Sequence, residues 1–508
     1  MTHADARPRL DTASLAGLDP DVVRPGHDRA ATGVGIVHLG IGAFHRAHQA
    51  VYTDDVLTAA GGDWAIRGVS LRSPTVRDQL APQDGLYTLV ERDDSGDRHR
   101  VIGAVKDVLV APEAPAAVVQ ALADPGVRVV TLTVTEKGYC HDPATGALLL
   151  DHPAIARDLA SPDRPSTAAG FLTAALRARR AAGVAPFTVV CCDNLPNNGR
   201  VVRGTLVSFA ERVDPALADW IAEQVPCPGT MVDRIVPATT PEDIAGLADS
   251  LGVIDHGMVK AEPFSQWVIQ DRFANDRPAW ERAGAMLVDD VTPFEDAKLR
   301  LLNGSHSALA YLGYLAGCTY VYQAMAIPAL ARFIDRLMAQ EQAPSLTAPP
   351  GLDLDAYQAD LKARFTNSAL GHRTYQIAMD GSQKLPQRLL NTVRVQLQRG
   401  GPIAALSLAV AAWMRFVTGR DEQGRPIEVQ DPLADRLAAV ARQAGGDADA
   451  LARGYLAVAD VFGDDLGEQP RFVAAVTEGL DQLLSDGARA TLERFMDGSA
   501  MPGAATAG

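Results

Sequence analysis

The sequence predicts a two-part α/β chain: a parallel sheet with crossover helices at the N-terminal side, then a mostly α-helical C-terminal domain. Three observations lead there. At 508 residues the chain is too long for one ordinary hydrophobic core. Short β-rich apolar runs alternate with helical stretches as far as about residue 290. From Pro293 onward strand-like runs nearly vanish, and Ala, Leu, Arg and Gln dominate at helical spacing. The predicted divisions are a surface arm over 1–30, a sheet-containing domain over 31–290, a helical domain over 291–495 and a flexible tail over 496–508.

The elements follow in order. The stretch GVGIVHLGIGAFHRAHQAVYTDDVL, beginning at Gly33, reads as a strand, a glycine turn and a helix. Trp64–Leu71, Val127–Val134 and Phe187–Cys192 read as further strands, and Thr167–Ala182 as a crossover helix. In the C-terminal part KLRLLNGSHSALAYLGYLAG, LARFIDRLMAQ and PIAALSLAVAAWMRFVTG carry helical periodicity. The last residues, DGSAMPGAATAG, are small and polar and are expected to fray.

Composition narrows the functional classes. Hydrophobic residues make up 47% and charged residues 21%, a globular balance that argues against disorder. The formal net charge of -15 repels phosphate backbones and argues against nucleic acid as a partner, while leaving room for a local basic pocket. No apolar run is long enough to span a bilayer, and MTHADARPRLD has no signal-peptide core, so the expectation is a cytoplasmic protein with no membrane partner. The five cysteines include no C-x-x-C pair, and Cys191 and Cys192 are adjacent, which argues against a zinc site or a disulfide.

The first chemical signal is Gly40-Ile41-Gly42-Ala43-Phe44-His45-Arg46. A strand, two close glycines and a helix form the pyrophosphate turn of a Rossmann-type dinucleotide-binding domain. The first glycine permits the tight turn and the second lets the backbone approach the phosphates. His45 stands where the usual fingerprint has a third glycine, so the motif is imperfect. The acidic ribose reader expected after the second strand is missing from SLRSPT. Arg72 and Arg77 stand nearby, either as surface residues or as partners for a 2′-phosphate. The expected cofactor is NAD, with NADP open.

A second signal is Lys298-Leu-Arg-Leu-Leu-Asn303-Gly-Ser-His306. On an α-helix these three side chains fall within an arc of about 140°. An amine, an amide and an imidazole on one face suit carbonyl reduction, although a solvated lysine beside a buried histidine would give the same pattern. Asp193-Asn194-Leu-Pro-Asn197-Asn198-Gly199 follows a strand, where open α/β sheets bind ligands. Asp380-Gly-Ser-Gln-Lys384-Leu-Pro-Gln-Arg388, with His372 and Arg373 upstream, gathers cations suited to a carboxylate or several hydroxyls, or forms a charged loop.

Taken together, GIVHLGIGAFHRAHQA, LTVTEKGYC, CCDNLPNNG, MVDRIVP, EPFSQWVIQDRF, KLRLLNGSHS and MDGSQKLPQR resemble the mannitol dehydrogenase family, the zinc-independent long-chain polyol dehydrogenases. The resemblance runs from about residue 33 to about residue 485. It implies a metal-independent NAD(P)-dependent oxidoreductase acting on CH–OH groups, a small keto sugar, polyol or sugar acid as substrate, and a monomer. It also implies roles. Lys298 is the general acid/base, Asn194 and Asn303 hold the substrate oxygen, and His306 orients it. Asp233, in MVDRI, and Lys384 bind substrate hydroxyls. Glu136, in TEKG, lies near the proton path of the lysine.

HRTYQIAMDGSQKLPQRLL and LTVTEKGYC lean toward the branch that reduces D-fructuronate to D-mannonate, and Arg373, Lys384 and Arg388 offer a carboxylate more than a neutral polyol needs. CDNLPNNG and LRSPTVRDQL lean toward the branch that interconverts D-fructose and D-mannitol. Fructuronate reduction is the favoured reading. The rivals from other classes are a non-catalytic dinucleotide-binding regulator and a metal-dependent sugar-acid dehydratase or isomerase.

Overall fold

The computed structural model describes residues 7–142 and 145–498. The chain forms two compact units, Met1–Thr292 and Pro293–Gly508.

The first unit is built on strands β1 (Val34–Leu39), β2 (Ala65–Ser70), β3 (Tyr87–Asp93), β4 (Gly96–Ile102), β5 (Val105–Val110), β6 (Val129–Leu132), β7 (Thr188–Cys191), β8 (Thr230–Asp233), β9 (Val259–Ala261), β10 (Gln266–Gln270) and β11 (Met286–Val288). The main sheet has the order β5-β2-β1-β6-β7 and every pairing in it is parallel. Its central strands are apolar on both faces: Ile36, Val37, Leu39, Val129, Val130 and Leu132 are all buried. That is the pattern of a sheet covered on both sides by crossover helices. The helix Ala168–Ala181 is one of them. It starts where Thr167 accepts the N–H of Gly170, and its Phe171, Leu172, Ala175 and Leu176 pack into the core beside β6 and β7.

Two small sheets, β4-β3-β9 and β11-β10-β8, complete the unit. In the second, Gln266 of β10 stands opposite Asp233 of β8. Residues 7–30, expected as a surface arm, are instead packed. Leu10, Leu18 and Val22 are buried in one cluster with Leu86, Val90, Val101 and Leu247. Leu10 donates its N–H to Ile254, and Val23 pairs with Arg100. The Pro- and Asp-rich composition hid the apolar spacing that drives this burial.

Among its described residues the second unit contains no strand, only helices around one large core. Its centre is the helix Ala404–Phe416, with Leu406, Leu408, Val410, Trp413 and Met414 all buried. Buried Glu341 accepts the N–H groups of Ala405 and Leu406 at 2.8 Å each, so a carboxylate caps this helix at its positive end. Among the described residues three segments are π-helical: Lys298–Gly304, Leu337–Gln342 and Pro386–Leu390. The tail residues 499–508 lie outside the described residues. Among the described residues no helix is long and apolar enough to cross a membrane.

Candidate active site

The glycine turn leaves the C-terminal end of β1. Gly40 has φ +96°, and a Cβ there would lie 2.1 Å from the carbonyl oxygen of Thr133. Only glycine fits that approach of turn to β6. Gly42 is the opposite case. Its backbone is extended, and a Cβ would meet only the Gly40 oxygen at 3.8 Å. The backbone at Gly42 therefore faces open space at the end of the sheet, as a diphosphate cradle requires.

The rest of the turn is anchored inward. Ile41 packs against Gly68 of β2, where a Cβ would come within 2.3 Å of its side chain. His45 is fully buried and stacks on His38 with ring centroids 3.4 Å apart. Burial first, then His38, holds the His45 pKa well below its ordinary value. Arg46 is buried and donates to the carbonyls of Gly257 and Gly42. Within the Gly40–Arg46 segment expected at the nucleotide turn, the His45 and Arg46 side chains thus point inward and brace the turn from beneath. Phe44 stacks on His48 at 5.1 Å. Of the two arginines beyond β2, Arg77 pairs with Asp78 and Glu113, whereas Arg72 is exposed.

Glu136, Asn194 and Asp233 lie on three segments stapled together. The Asp193 carboxylate accepts the N–H of Val134 at 2.9 Å, the N–H of Thr135 at 3.0 Å and the Tyr139 hydroxyl at 2.6 Å. Five residues on, the buried amide of Asn198 donates to the Thr230 carbonyl at 2.9 Å and accepts the Thr230 N–H at 3.0 Å. The loop holding Asn194 is thus tied to the start of Glu136's loop on one side and to the strand ending in Asp233 on the other. Thr135 has φ +66° and ψ 160°, a region populated almost only by glycine, at a cost of about 1–3 kcal/mol. Glu136 and Asn194 are exposed, and Asp233 is buried. Arg234, next to Asp233, is buried and donates to the carbonyls of Ala47 and Glu262, which fixes β8 to the helix after the glycine turn.

In the second unit Lys298, Asn303 and His306 are all buried. Lys298 and Asn303 lie in the π-helical segment, not in the α-helix the sequence predicts. Bonding from i to i+5 stacks residues five apart, so the π turn brings Lys298 and Asn303 closer to one line than the α-helical arc would. Gly304 makes this packing possible: a Cβ there would sit 2.6 Å from both the Arg388 carbonyl oxygen and the Gln342 side-chain nitrogen. Ser305 donates to Gln342 at 3.0 Å. The Asn303 side-chain nitrogen is buried without a hydrogen-bond partner, a donor left over for a ligand.

The His306 ring packs on Phe365 at 4.6 Å and meets His372 edge-on at 5.1 Å. Burial, then His372, Arg364 and Arg388, hold the His306 pKa well below its ordinary value, so the imidazole is neutral. Arg388 also donates to Ser307 at 3.3 Å. Lys384 donates to the carbonyls of Met379 and Ile377, and together with burial it lowers the His372 pKa to about 4. His372 stands in the cationic cluster read from sequence, whereas Arg364, in the last turn of the helix Leu354–Thr366, was not singled out. Arg373 does not join this group. It is exposed, its guanidinium lies over the Tyr320 ring at 5.8 Å, and its extended backbone turns it to the side opposite His372.

This arrangement makes stability depend on pH. The unfolded chain protonates His372 near 6.5, but the folded chain keeps it neutral down to about 4. Its contribution is complete above pH 6.5 and is lost as pH falls toward 4, at most about 3 kcal/mol. His372→Gln therefore closes its gap in thermal midpoint with the wild type as pH drops from 7.5 to 4.5. A constant gap across that range would show that the folded ring is charged.

The two halves match known models over nearly the whole chain. Residues 34–282 match the mannitol dehydrogenase Rossmann domain, and residues 290–484 match the mannitol dehydrogenase C-terminal domain. The chain belongs to the mannitol dehydrogenase family. It is an oxidoreductase of that family, with its Rossmann domain followed by its helical C-terminal domain. Among its relatives, the D-mannonate oxidoreductase of Escherichia coli K12 is 48% identical over 473 residues, 92% of this chain and 97% of that protein. A mannitol 2-dehydrogenase of Phaeosphaeria nodorum is 42% identical over 493 residues, covering 96% and 85% of the two chains. The structure of Pseudomonas fluorescens mannitol 2-dehydrogenase in ternary complex with NAD and D-mannitol superposes with a TM-score of 0.87 at 41% identity, over 96% of this chain and 99% of that one. Among the described residues, no group of three or more His, Cys, Asp or Glu side chains is placed to hold a metal ion.

Proposed function

We propose that this mannitol dehydrogenase family member reduces an open-chain 2-keto sugar acid, D-fructuronate to D-mannonate, with NAD as cofactor. The observation that carries the substrate class is the cationic surround of two neutral imidazoles. The charges of Arg364 and Arg388 act on His306, Arg388 from a hydrogen bond to the neighbouring Ser307, and Lys384 acts on His372. Guanidinium groups pair carboxylates bidentately, whereas a neutral polyol takes hydrogen bonds from them but leaves their charge uncompensated. The 48% identity to a D-mannonate oxidoreductase supports the same reading. Arg373, stacked on Tyr320, drops out of the proposed carboxylate group.

The cofactor fits the turn: Gly40 allows the close approach to β6, and Gly42 presents bare backbone to open space. Engagement of Arg77 by Glu113 removes one of two possible 2′-phosphate partners, which favours NAD. Exposed Arg72 is the residue through which NADP would be accepted. NADH, when bound, supplies the hydride that reduces C2. This chain's residues do the rest. Asn303 and Asn194 donate hydrogen bonds to the oxygen as it gains negative charge. Neutral His306 orients that oxygen, and Lys298 delivers the proton that completes the alcohol. By the family pattern Glu136 serves the proton path of the lysine, while Asp233 and Lys384 hold substrate hydroxyls.

The test compares NADH-dependent turnover of D-fructuronate and D-fructose side by side. The expected kcat/KM ratio favours fructuronate by about tenfold or more, and Arg388→Met collapses it. A preference for fructose that Arg388→Met leaves unchanged places the chain with the mannitol 2-dehydrogenases instead.

A further inference from the structure

Thr135 is a β-branched residue held at positive φ, a conformation it would not choose. Its φ is +66°, and it sits directly before Glu136, three residues beyond the end of β6. Both backbone N–H groups that lead into this bend, from Val134 and Thr135, end on the two oxygens of Asp193. The same carboxylate takes the Tyr139 hydroxyl, which closes the short helical turn Glu136–Tyr139 from its far end. Tyr139 in turn is buried and contacts the Cys191 sulfur at 2.9 Å. Asp193 is itself buried and immediately precedes Asn194.

We propose that Asp193 is a positioning residue that sets Glu136 and Asn194 for turnover by clamping Thr135 in its positive-φ conformation. This rests on the roles proposed for those two residues. A carboxylate is required because three donors converge on it. An asparagine in its place brings one acceptor oxygen and an NH₂ group that faces donors. Burial keeps water from replacing the lost contacts, and burial also pushes the Asp193 pKa up while the three hydrogen bonds pull it down. Without the clamp Thr135 relaxes to negative φ, which redirects the chain at Glu136 and shifts the loop bearing Asn194. Misplacing a reacting group by about 1 Å is enough to lose on the order of 100-fold in rate. Asp193 touches neither substrate nor cofactor in this account; it acts through the backbone.

The decisive comparison is Asp193→Asn in two backgrounds, wild type and Thr135→Gly. Glycine adopts the same backbone angles without strain, so it needs the clamp far less. In the wild-type background Asp193→Asn is expected to lower kcat by about 10–100-fold with KM nearly unchanged, to displace the pH profile of turnover, and to speed exchange of the Val134 and Thr135 amides. Thr135→Gly alone is expected to stay within about threefold of wild type, and in its presence Asp193→Asn recovers most of the lost kcat. NADH binding by each variant reports an intact first unit, and should Asp193→Asn alone fail to fold, the double variant's return to folding and turnover reads the same rescue. Equal losses in both backgrounds, or a pH profile and kcat indistinguishable from wild type, overturn the proposal. Glu136→Gln run alongside separates the two ideas. If it leaves the pH profile untouched, the proton-path role of Glu136 has failed, while the glycine rescue still decides whether Asp193 holds the loop.

Discussion

Lys298→Ala is expected to lower kcat for keto-sugar reduction by about 10²–10⁴-fold while NADH affinity stays at the wild-type value. The reason lies in where the lysine sits. It is buried, at 8% exposure, on a π turn that also carries buried Asn303 and ends one residue before the helix bearing His306. A lysine withdrawn from solvent into that company has no surface role to explain it. Once it is gone, the amide donor of Asn303 still meets the developing charge, so a residual rate survives and the pH dependence due to the lysine disappears. Stopped-flow NADH oxidation, with NADH binding followed by fluorescence, measures both quantities. Wild-type turnover at every pH would remove Lys298 from the mechanism.

The second large effect separates two glycines that look alike in sequence. Gly40→Ala forces a Cβ to within 2.1 Å of the Thr133 carbonyl at φ +96°, so β1 and β6 must part or the turn must unwind. Loss of dinucleotide binding together with a drop of several degrees in the unfolding midpoint is expected. Gly42→Ala should leave the midpoint unchanged, because its backbone is extended and its Cβ meets nothing closer than 3.8 Å. Its methyl group projects into the space assigned to the diphosphate, and NADH affinity should fall by about tenfold or more. Calorimetry and NADH titration of the two variants distinguish fold from cradle. If Gly42→Ala binds NADH as wild type does, the diphosphate lies elsewhere.

Much of this was legible from sequence because it depends on local pattern. The strands around Ile36, Ile66, Val130 and Val189 are apolar runs bounded by turn residues, and the helix Ala168–Ala181 announces itself through Thr167 at its cap. What was hidden depends on tertiary contact. Nothing local shows that Leu10, Leu18 and Val22 bury against residues as distant as Leu247. The π turn at Lys298–Gly304 needs Gly304 to seat on Arg388 and Gln342, and only the packed second unit supplies those partners. His45 and Arg46 fit a nucleotide motif by position, yet their side chains are drawn inward by His38 and by the Gly257 carbonyl. Arg373 and His372 are adjacent in sequence and look like one cationic group, but extended backbone sends them to opposite sides. Asp193 looked like one residue of a polar turn until its carboxylate was seen to carry three donors.

The most direct test follows the hydride itself. D-Fructuronate is incubated with NADH deuterated at the transferable C4 position, and the product is examined by NMR. Deuterium at C2 of D-mannonate is the predicted result, appearing about 10²–10⁴-fold more slowly in Lys298→Ala and at a reduced rate in Glu136→Gln. Product without deuterium at C2, or no product from any 2-keto sugar or sugar acid despite tight NADH binding, would contradict it.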